Sequence, residues 1–246
     1  MKNKVVNLLQ SHRSIRKYTD EPIAKEILEE LFETAQWAPS SHNVQAYSII
    51  AVENKRIKQE ITKYCGNQKY IENCPVFLVF CTDFYRLKQA CDMYGTNFEV
   101  AEVENLLVGA VDTALVAENV MIAARSYGLG GVMIGGIRNQ PDKISELLDL
   151  PELVIPIMGM CLGYPAQDVW QKPRLPKRVV VHHDKYKTDH ILGGLEEYEA
   201  ISADYYTRRT NGLRTDGWTK QMADYLAVPR RPNLSKFIKS KGFDFK

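Results

Sequence analysis

Basic and polar side chains cluster near the start of the chain. The run His12-Arg13-Ser14-Ile15-Arg16-Lys17-Tyr18 holds an imidazole, two guanidinium groups, a hydroxyl and an ammonium group. Guanidinium groups bind phosphate oxygens in a fork, and a serine adds a neutral donor. The run therefore indicates a phosphate site, although a solvated basic turn would contain the same residue types.

Three further segments carry groups that could contact a planar polar ligand. They are a turn rich in hydroxyls and amides, a glycine-rich turn that lets the backbone approach a ligand, and a pair of cations stiffened by two prolines. Ordinary turn chemistry or the end of a helix would also explain the first two. The segments are Ser40-Ser41-His42-Asn43-Val44-Gln45, Gly128-Leu129-Gly130-Gly131 and Lys172-Pro173-Arg174-Leu175-Pro176.

Several sequence motifs of catalysis and metal binding are missing from the chain. Met133 stands where a dinucleotide-binding glycine motif needs its third glycine, and there is no P-loop. His182, His183 and His190 lack metal-ligand spacing, so no metal site is predicted. No serine lies in a nucleophile-elbow motif, so no nucleophile or side-chain acid or base is assigned.

Composition excludes disordered, fibrous and disulfide-rich classes. The 246 residues are 45% hydrophobic and 25% charged with a net charge of +2, as in ordinary soluble domains. The five cysteines form no C-x-x-C pair, which favours the reducing cytoplasm. The apolar stretch 106–137 is interrupted by Asp112, Glu118 and Arg125, so no membrane span is predicted. The short apolar segment 5–9 is followed at once by Gln10, His12 and Arg13, so no signal peptide is predicted.

The C-terminal part of the chain is basic. Residues 204–246 contain ten Lys and Arg against four Asp. Such a tail is typical of a solvated helical surface, or of an arm that supplies cations to an anionic ligand or a partner subunit. Nucleic-acid binding, with Tyr205, Tyr206, Trp218 and Tyr225 stacking on bases, is disfavoured because no recognition motif accompanies the cations.

Hydrophobic periodicity predicts helices and strands in irregular alternation, which favours an α+β fold with helices packed on a mixed sheet. The segment 104–127 is apolar on most sides and is predicted to be the central core helix. Predicted helices cover residues 3–11, 23–36, 55–64, 104–127 and 141–148, and predicted strands cover 46–52, 75–81, 130–137 and 153–163.

Taken in order, these segments resemble the nitroreductase and flavin reductase superfamily, and within it the oxygen-insensitive NADPH nitroreductases and NADPH-FMN oxidoreductases. Each motif is weak alone, but their order and spacing over the whole chain are specific. The motifs are HRSIRKY, SSHNVQAYSII, the run Gly66-Asn67-Gln68-Lys69-Tyr70, GLGGVMIGGIRN, PIMGMCLGYP, KPRLP, and the run from Tyr205 to Gly212 with Arg214 and Trp218.

The resemblance implies a single FMN-binding domain over residues 1–246, with a largely antiparallel sheet flanked by helices. A C-terminal extension from about residue 195 to 246 would embrace the partner of a homodimer that has FMN sites at its interface. Tightly bound, non-covalent FMN would contact His12, Arg13, Ser14, Arg16, Ser40, Ser41, Asn43, Gln45, Gln68, Tyr70, Gly130, Gly131, Lys172 and Arg174.

The resemblance also implies an NADPH-dependent flavin reductase or nitroreductase with a ping-pong mechanism. Arg209, Arg214 and Arg231 match positions that grip NADPH, and Arg16 is assigned to stabilise the reduced flavin, whose N5 is the reactive centre. Acceptors would be free flavin, quinones, nitroaromatics or azo compounds. Two alternatives remain open: a non-catalytic flavin store or redox sensor, and a reductive dehalogenase-like member of the superfamily.

Overall fold

The computed structural model describes residues 3–100 and 102–243. The described residues form two compact units: residues 3–100 and 102–169 together with 231–243, and residues 170–230.

The first unit contains the sheet and most of the helices. Its strands are β1 (Tyr47–Val52), β2 (Val76–Asp83), β3 (Gly130–Ile134) and β4 (Val154–Gly163). Its helices are α1 (Lys4–Gln10), α2 (Lys25–Ala35), α3 (Lys55–Tyr64), α4 (Tyr70–Asn73), α5 (Tyr85–Tyr94), α6 (Val103–Ser126), α7 (Pro141–Leu147) and α11 (Leu234–Ser240), with 3₁₀ turns at Ser41–Asn43 and Gly135–Arg138.

The sheet has four strands in the order β1-β2-β4-β3, and every neighbouring pair is antiparallel. The predicted α+β class is confirmed. All four predicted strands form, with one correction: the strand predicted over 130–137 ends at Ile134, and residues 135–138 turn into a 3₁₀ helix. Two adjacent glycines there lower the strand propensity.

Both faces of the sheet are buried. Along β2, Leu78 and Phe80 face one core cluster with α2 and α6, whereas Phe77 and Val79 face a second cluster. Successive strand residues point to opposite faces, so this uninterrupted apolar run fits a central strand covered on both sides.

Local signals set several helix ends. The side chain of Asn54 caps the start of α3 by accepting from two backbone N–H groups, and Pro141 occupies the first turn of α7. Gly95 ends α5 with a φ of 62°, a left-handed conformation that suits glycine.

Helix α6 is the predicted core helix, within a residue of its predicted ends. By length and composition it could also cross a membrane, alone among the described helices. Its residues Asp112, Val116, Val120 and Ala124 are nevertheless buried in the protein. It packs against α2 and β2, as a core helix does.

The second unit comprises α8 (Lys177–Val180), α9 (Ile191–Arg209) and α10 (Trp218–Leu226). The start of α10 is fixed on α9 because Ser202 Oγ accepts from Trp218 N at 2.7 Å and Glu199 Oε2 accepts from Thr219 N at 2.7 Å. Gly217 allows this approach, since a Cβ there would lie 2.5 Å from the Glu199 carboxylate.

Replacing Gly109 by alanine should destabilise the first unit. A Cβ on Gly109 would lie 1.8 Å from Thr82 Oγ1 and 2.9 Å from Phe84, so α6 must move away from β2. Overpacking of this kind costs about 1–3 kcal/mol of unfolding free energy, measurable by urea denaturation.

Gly193→Ala is the matched control, because no described atom lies within 4 Å of the added methyl group. It should be neutral or stabilise α9 by up to about 1 kcal/mol. Equal effects of the two substitutions would show that α6 and β2 are not in tight contact.

Candidate functional site

The basic segment near the N-terminus lies along the ends of β3 and β4. Ile15 N donates to Gly131 O at 2.9 Å, Thr19 N donates to Tyr164 O at 2.9 Å, and Tyr18 pairs with Pro165 in an antiparallel bridge. These contacts hold the segment against the sheet from Ile15 to Thr19.

This arrangement directs the cations outward. Ile15 is buried, whereas Arg13, Arg16 and Lys17 are exposed. The Arg13 guanidinium is 3.9 Å from Asp168, but both side chains are exposed, so this pair is weak. Two neighbours in the segment, His12 and Ser14, are partly buried.

Tyr18 anchors the segment from beneath. Its hydroxyl donates to Ile15 O at 2.7 Å, and burial raises the pKa of the phenol far above its usual range. Tyr18 therefore stays protonated and acts as a donor that locks the backbone before Arg16.

The predicted glycines 130 and 131 are needed for protein packing. A Cβ on Gly130 would lie 2.6 Å from Ile15 Cγ1, and one on Gly131 would lie 2.7 Å from the Cys161 carbonyl oxygen. Gly130 therefore lets the basic segment sit closely on β3, and Gly131 lets β3 sit closely on the β4 backbone.

Arg16 comes together with Gln68 and Tyr70, from which it is distant in sequence. The Arg16 guanidinium carbon lies 5.8 Å from the Tyr70 ring centroid. The Tyr70 hydroxyl donates to Gln68 Oε1, and Gln68 Nε2 donates to Cys65 O at 2.6 Å. The three side chains form a cationic, aromatic and amide-lined cluster.

A second glycine pair, Gly135 and Gly136, lies beside this cluster and was not among the site residues predicted from the sequence. A Cβ on Gly136 would lie 2.5 Å from Gln68 Nε2 and 2.7 Å from Cys65 O. The carbonyl of Gly135 accepts from Arg231 Nη2 at 2.9 Å, and Asn139 Oδ1 accepts from Arg231 Nε at 3.1 Å. The available signal was a Gly-Gly pair at the end of a strand, which indicates a close approach of backbone.

The predicted turn at residues 40–45 is held by a buried carboxylate of α6. Asp112 is 1% exposed and accepts from Ser40 Oγ at 2.6 Å, Ser41 N at 3.2 Å and Ala46 N at 3.2 Å. Ser40 Oγ also accepts from Gln45 N at 2.8 Å. The Ser40 hydroxyl thus stabilises the turn by donating to Asp112 and accepting from Gln45 N.

The rest of this turn is exposed and conformationally restricted. His42, Asn43 and Gln45 have φ values of 48°, 56° and 51°, a region that few non-glycine residues occupy. Arg86 donates to Gln45 O at 2.9 Å and closes the turn against β1. A cleft of about 620 Å³ opens beside it, lined in part by Phe32, Gln45 and Arg86.

The remaining predicted cations lie in the second unit. Arg209 and Arg214 pack on tyrosine rings, with guanidinium carbons 5.8 Å and 4.5 Å from the centroids of Tyr205 and Tyr206. Arg174 is exposed and donates to Lys172 O at 3.1 Å.

No group of three or more His, Cys, Asp or Glu within residues 3–100 and 102–243 could hold a metal ion. All five cysteines are free thiols, and four of them are buried.

Two family models together match most of the chain. The Nitroreductase family model matches residues 9–164, and the model of the nitroreductase family C-terminal domain matches residues 172–246. The chain belongs to the nitroreductase family.

Similar proteins include a CR(VI) reductase of Pseudomonas sp. (strain G-1), 43% identical over 98% of this chain and 100% of that protein. An FMN reductase (NADPH) of Bacillus subtilis (strain 168) is 39% identical over 98% of this chain and 99% of that protein. The solved NADPH:FMN oxidoreductase of Vibrio harveyi, complexed with NAD+, superimposes with a TM-score of 0.90 at 35% identity, over 99% and 100% of the two chains.

Removing the Asp112 carboxylate should release the turn at residues 40–45. Asp112→Ala leaves the Ser40 hydroxyl and two backbone N–H groups without their acceptor. We expect a loss of about 3 kcal/mol of unfolding free energy, together with faster amide exchange over residues 40–46.

Glu118→Ala on the same helix is the control, because that carboxylate lies on the exposed side of α6. If both variants lose the same stability and leave amide exchange in the turn unchanged, Asp112 does not hold the turn.

Proposed function

We propose that this protein is an FMN-dependent NADPH oxidoreductase, acting as a flavin reductase and nitroreductase. The observation that carries the proposal is the convergence of Arg16, Gln68 and Tyr70 beside a rigid segment of exposed cations. Family membership and the named activities of the similar Bacillus and Vibrio proteins support it.

The donor set fits FMN. Arg13 and Arg16 are charged donors suited to phosphate and to carbonyl oxygens, and Ser14 adds a hydroxyl. Gln68 offers an amide, and Tyr70 offers an aromatic ring with its hydroxyl. By resemblance to the family, Lys172, Arg174 and His12 would complete the set.

FMN, when bound, supplies the redox chemistry by taking a hydride from the nicotinamide and passing electrons to the acceptor. The protein's own task is to hold the cofactor, orient the nicotinamide and exclude competing reactions. No side-chain acid or base is needed for this.

The Gly135–Gly136 backbone is a better candidate for contact with the cofactor ring than the predicted pair Gly130 and Gly131. It lies against Gln68, whereas the earlier pair packs against Ile15 and Cys161. We therefore keep Gly130 as the residue that lets the basic segment pack on β3 and Gly131 as one that lets β3 pack on β4, and we add Gly135 and Gly136 to the proposed site.

We propose that Arg209 and Arg214 bind the phosphates of NADPH. Both guanidinium groups already rest on tyrosine rings, so they lose less conformational freedom when they bind an anion. This arrangement supports NADPH over NADH.

A homodimer with shared sites explains the separation of the two predicted clusters. The turn at 40–45 leads into β1, one edge of the sheet, at the end where β4 starts. The basic segment lies on β3, the other edge, where β4 ends. The turn and the basic segment are therefore separated by eight residues along β4 and by three strand spacings across the sheet. Together these give a distance of roughly 30 Å.

One FMN cannot span that distance, so Ser40, Ser41, Asn43 and Gln45 would reach the cofactor held by a partner subunit. An exposed apolar stripe on α6 supports this: Val103, Leu107, Val111 and Leu115 recur every fourth residue and are 52%, 56%, 56% and 37% exposed. Two copies of such a stripe pair across a two-fold axis. The segment from about residue 195 would then wrap the partner.

Five free thiols, four of them buried, support a reducing compartment, which we propose is the cytoplasm.

A single pocket would serve the nicotinamide and then the acceptor, which gives ping-pong kinetics. Free flavin, quinones, nitroaromatics and azo compounds are the proposed acceptors, and the similar CR(VI) reductase adds chromate to the set to be assayed.

Anaerobic titration of the FMN-loaded protein with NADPH tests the function. Complete bleaching of the flavin band, followed by recovery on adding an acceptor, is the expected result. A protein that binds FMN without being reduced would be a flavin store or sensor. Turnover of halogenated aromatics without nitroaromatics would favour the dehalogenase-like alternative.

Arg16→Ala should lower the potential of bound FMN. A guanidinium near the flavin stabilises the negative charge of the reduced form, and loss of such a donor costs about 3 kcal/mol. Since 30 mV corresponds to about 1.4 kcal/mol for two electrons, we expect a fall of tens of millivolts in a dye-equilibration measurement.

Lys17→Ala is the control, because Lys17 is an exposed cation next in the chain whose backbone faces Ala166. It should leave the potential almost unchanged. Equal shifts in both variants would mean that Arg16 acts only through overall charge.

Val111→Glu should convert the dimer into monomers, since the introduced carboxylate would be buried at the α6 stripe. Sedimentation velocity measures the change, with Gln59→Glu on the exposed side of α3 as control. A wild-type monomer, or a dimer unaffected by Val111→Glu, would contradict the proposed interface.

A further inference from the structure

Arg231 was expected to bind NADPH, but its guanidinium group is already engaged in the first unit. Nη2 donates to Gly135 O at 2.9 Å, and Nε donates to Asn139 Oδ1 at 3.1 Å. The Arg231 backbone has a φ of 50°, a conformation that costs energy for a non-glycine residue. Both observations indicate that the residue is held in one fixed position.

The two acceptors of Arg231 flank the 3₁₀ turn at Gly135–Arg138. Asn139 N in turn donates to Gly136 O at 2.9 Å, so the ends of the turn are tied together. A planar guanidinium with two donors in a fixed fork restrains both acceptors at once, which an ammonium group cannot do.

The bond to Gly135 O orients a whole peptide group. In a planar trans peptide, the carbonyl of Gly135 and the N–H of Gly136 point in opposite directions. Fixing the carbonyl on Arg231 therefore fixes the direction of the Gly136 N–H. It also polarises that peptide and strengthens the N–H as a donor.

Gly136 lies against the Gln68–Tyr70–Arg16 cluster. A Cβ on Gly136 would be 2.5 Å from Gln68 Nε2, Gln68 accepts from the Tyr70 hydroxyl, and the Tyr70 ring contacts Arg16. A continuous series of contacts thus runs from Arg231 through the Gly135–Gly136 peptide to Arg16.

We propose that Arg231 is a positioning residue, which holds the Gly135–Gly136 peptide against Gln68 and so shapes the cofactor site, and is not a ligand of the NADPH phosphates. The inference rests on the proposed function for its cofactor. The contacts themselves belong to the protein alone.

The two roles of Arg231 give opposite expectations for cofactor and nucleotide. If Arg231 positions the peptide, Arg231→Ala raises the FMN Kd by about 5- to 10-fold, since tenfold corresponds to a single hydrogen bond of about 1.4 kcal/mol. It should also shift the flavin absorption spectrum and change kcat with NADPH and NADH by the same factor. If Arg231 binds the 2′-phosphate, only KM for NADPH rises.

Asn139→Ala separates these roles without changing charge. It removes one acceptor of Arg231, so it should reproduce part of the weakened FMN binding and the spectral shift. Arg231→Lys keeps the charge but loses the fork, and should resemble Arg231→Ala. Arg209→Ala is the matched control and should raise KM for NADPH with the FMN Kd unchanged.

Hydrogen exchange of the FMN-free protein provides a readout independent of cofactor and activity. Faster exchange over residues 135–139 in Arg231→Ala and Asn139→Ala, compared with wild type, supports the positioning role. Unchanged exchange, or rescue of FMN binding by Arg231→Lys alone, overturns it. The wild-type protein could fail to bind FMN while the two variants still exchange faster than wild type over residues 135–139. That result would refute the proposed function and leave the structural role of Arg231 intact.

Discussion

The close packing of an extended basic segment on the ends of β3 and β4 is the constraint on which the proposed site depends. Ile15 is bonded to Gly131, and Tyr18 is bridged to Pro165, with glycine at 130 and 131 where a Cβ would collide. The backbone is fixed on both sides of Arg16, and its guanidinium carbon lies 5.8 Å from the centroid of the Tyr70 ring. Cations held in this way bind an anion with a smaller loss of entropy.

A second constraint acts on the other edge of the sheet. Asp112 lies in the core helix and accepts three hydrogen bonds from the turn that precedes β1. A buried carboxylate is stable only when its oxygens are satisfied, and a turn of left-handed residues persists only when its surroundings hold it. The turn supplies the donors that the buried Asp112 carboxylate needs, and Asp112 holds the turn in its conformation. The sheet between these two edges separates the clusters, which is why a second copy of the chain is central to the proposed site.

Much of the fold could be predicted from hydrophobic periodicity. The uninterrupted apolar run of β2 and the apolar length of α6 identified a strand buried on both faces and the helix packed against it, because burial leaves a direct pattern in the sequence. The turn at 135–138 could not be predicted in this way. A glycine pair fits both a strand and a tight turn, and the contact that decides between them, from Arg231, comes from a residue far along the chain.

The site residues show the same distinction between features set by local sequence and features set by contacts between distant segments. The link between Arg16 and Tyr70 depends on tertiary packing, and only the resemblance to a family placed these residues in one site. The packing role of Gly130 and Gly131 depends on Ile15 and Cys161, and no local pattern distinguishes such glycines from those that face a ligand. Arg209 and Arg214 have the same residue type as Arg231, yet tyrosine rings support the first two and a backbone carbonyl holds the third.

The protonation states of the site and its surroundings favour a role in binding over one in proton transfer. Burial raises the pKa of the Tyr18 phenol far above its usual range and that of the Cys65 thiol to about 12, so both groups stay protonated at neutral pH. Arginine and lysine side chains carry only donors, and the Gln68 amide oxygen already accepts from Tyr70. A site composed mainly of donors complements a ligand rich in acceptor oxygens, which describes a phosphate joined to a ring with carbonyl groups. Electron transfer through such a ligand places no demand on the protein for a base or a nucleophile, and the chain meets the one demand that remains, which is rigid positioning.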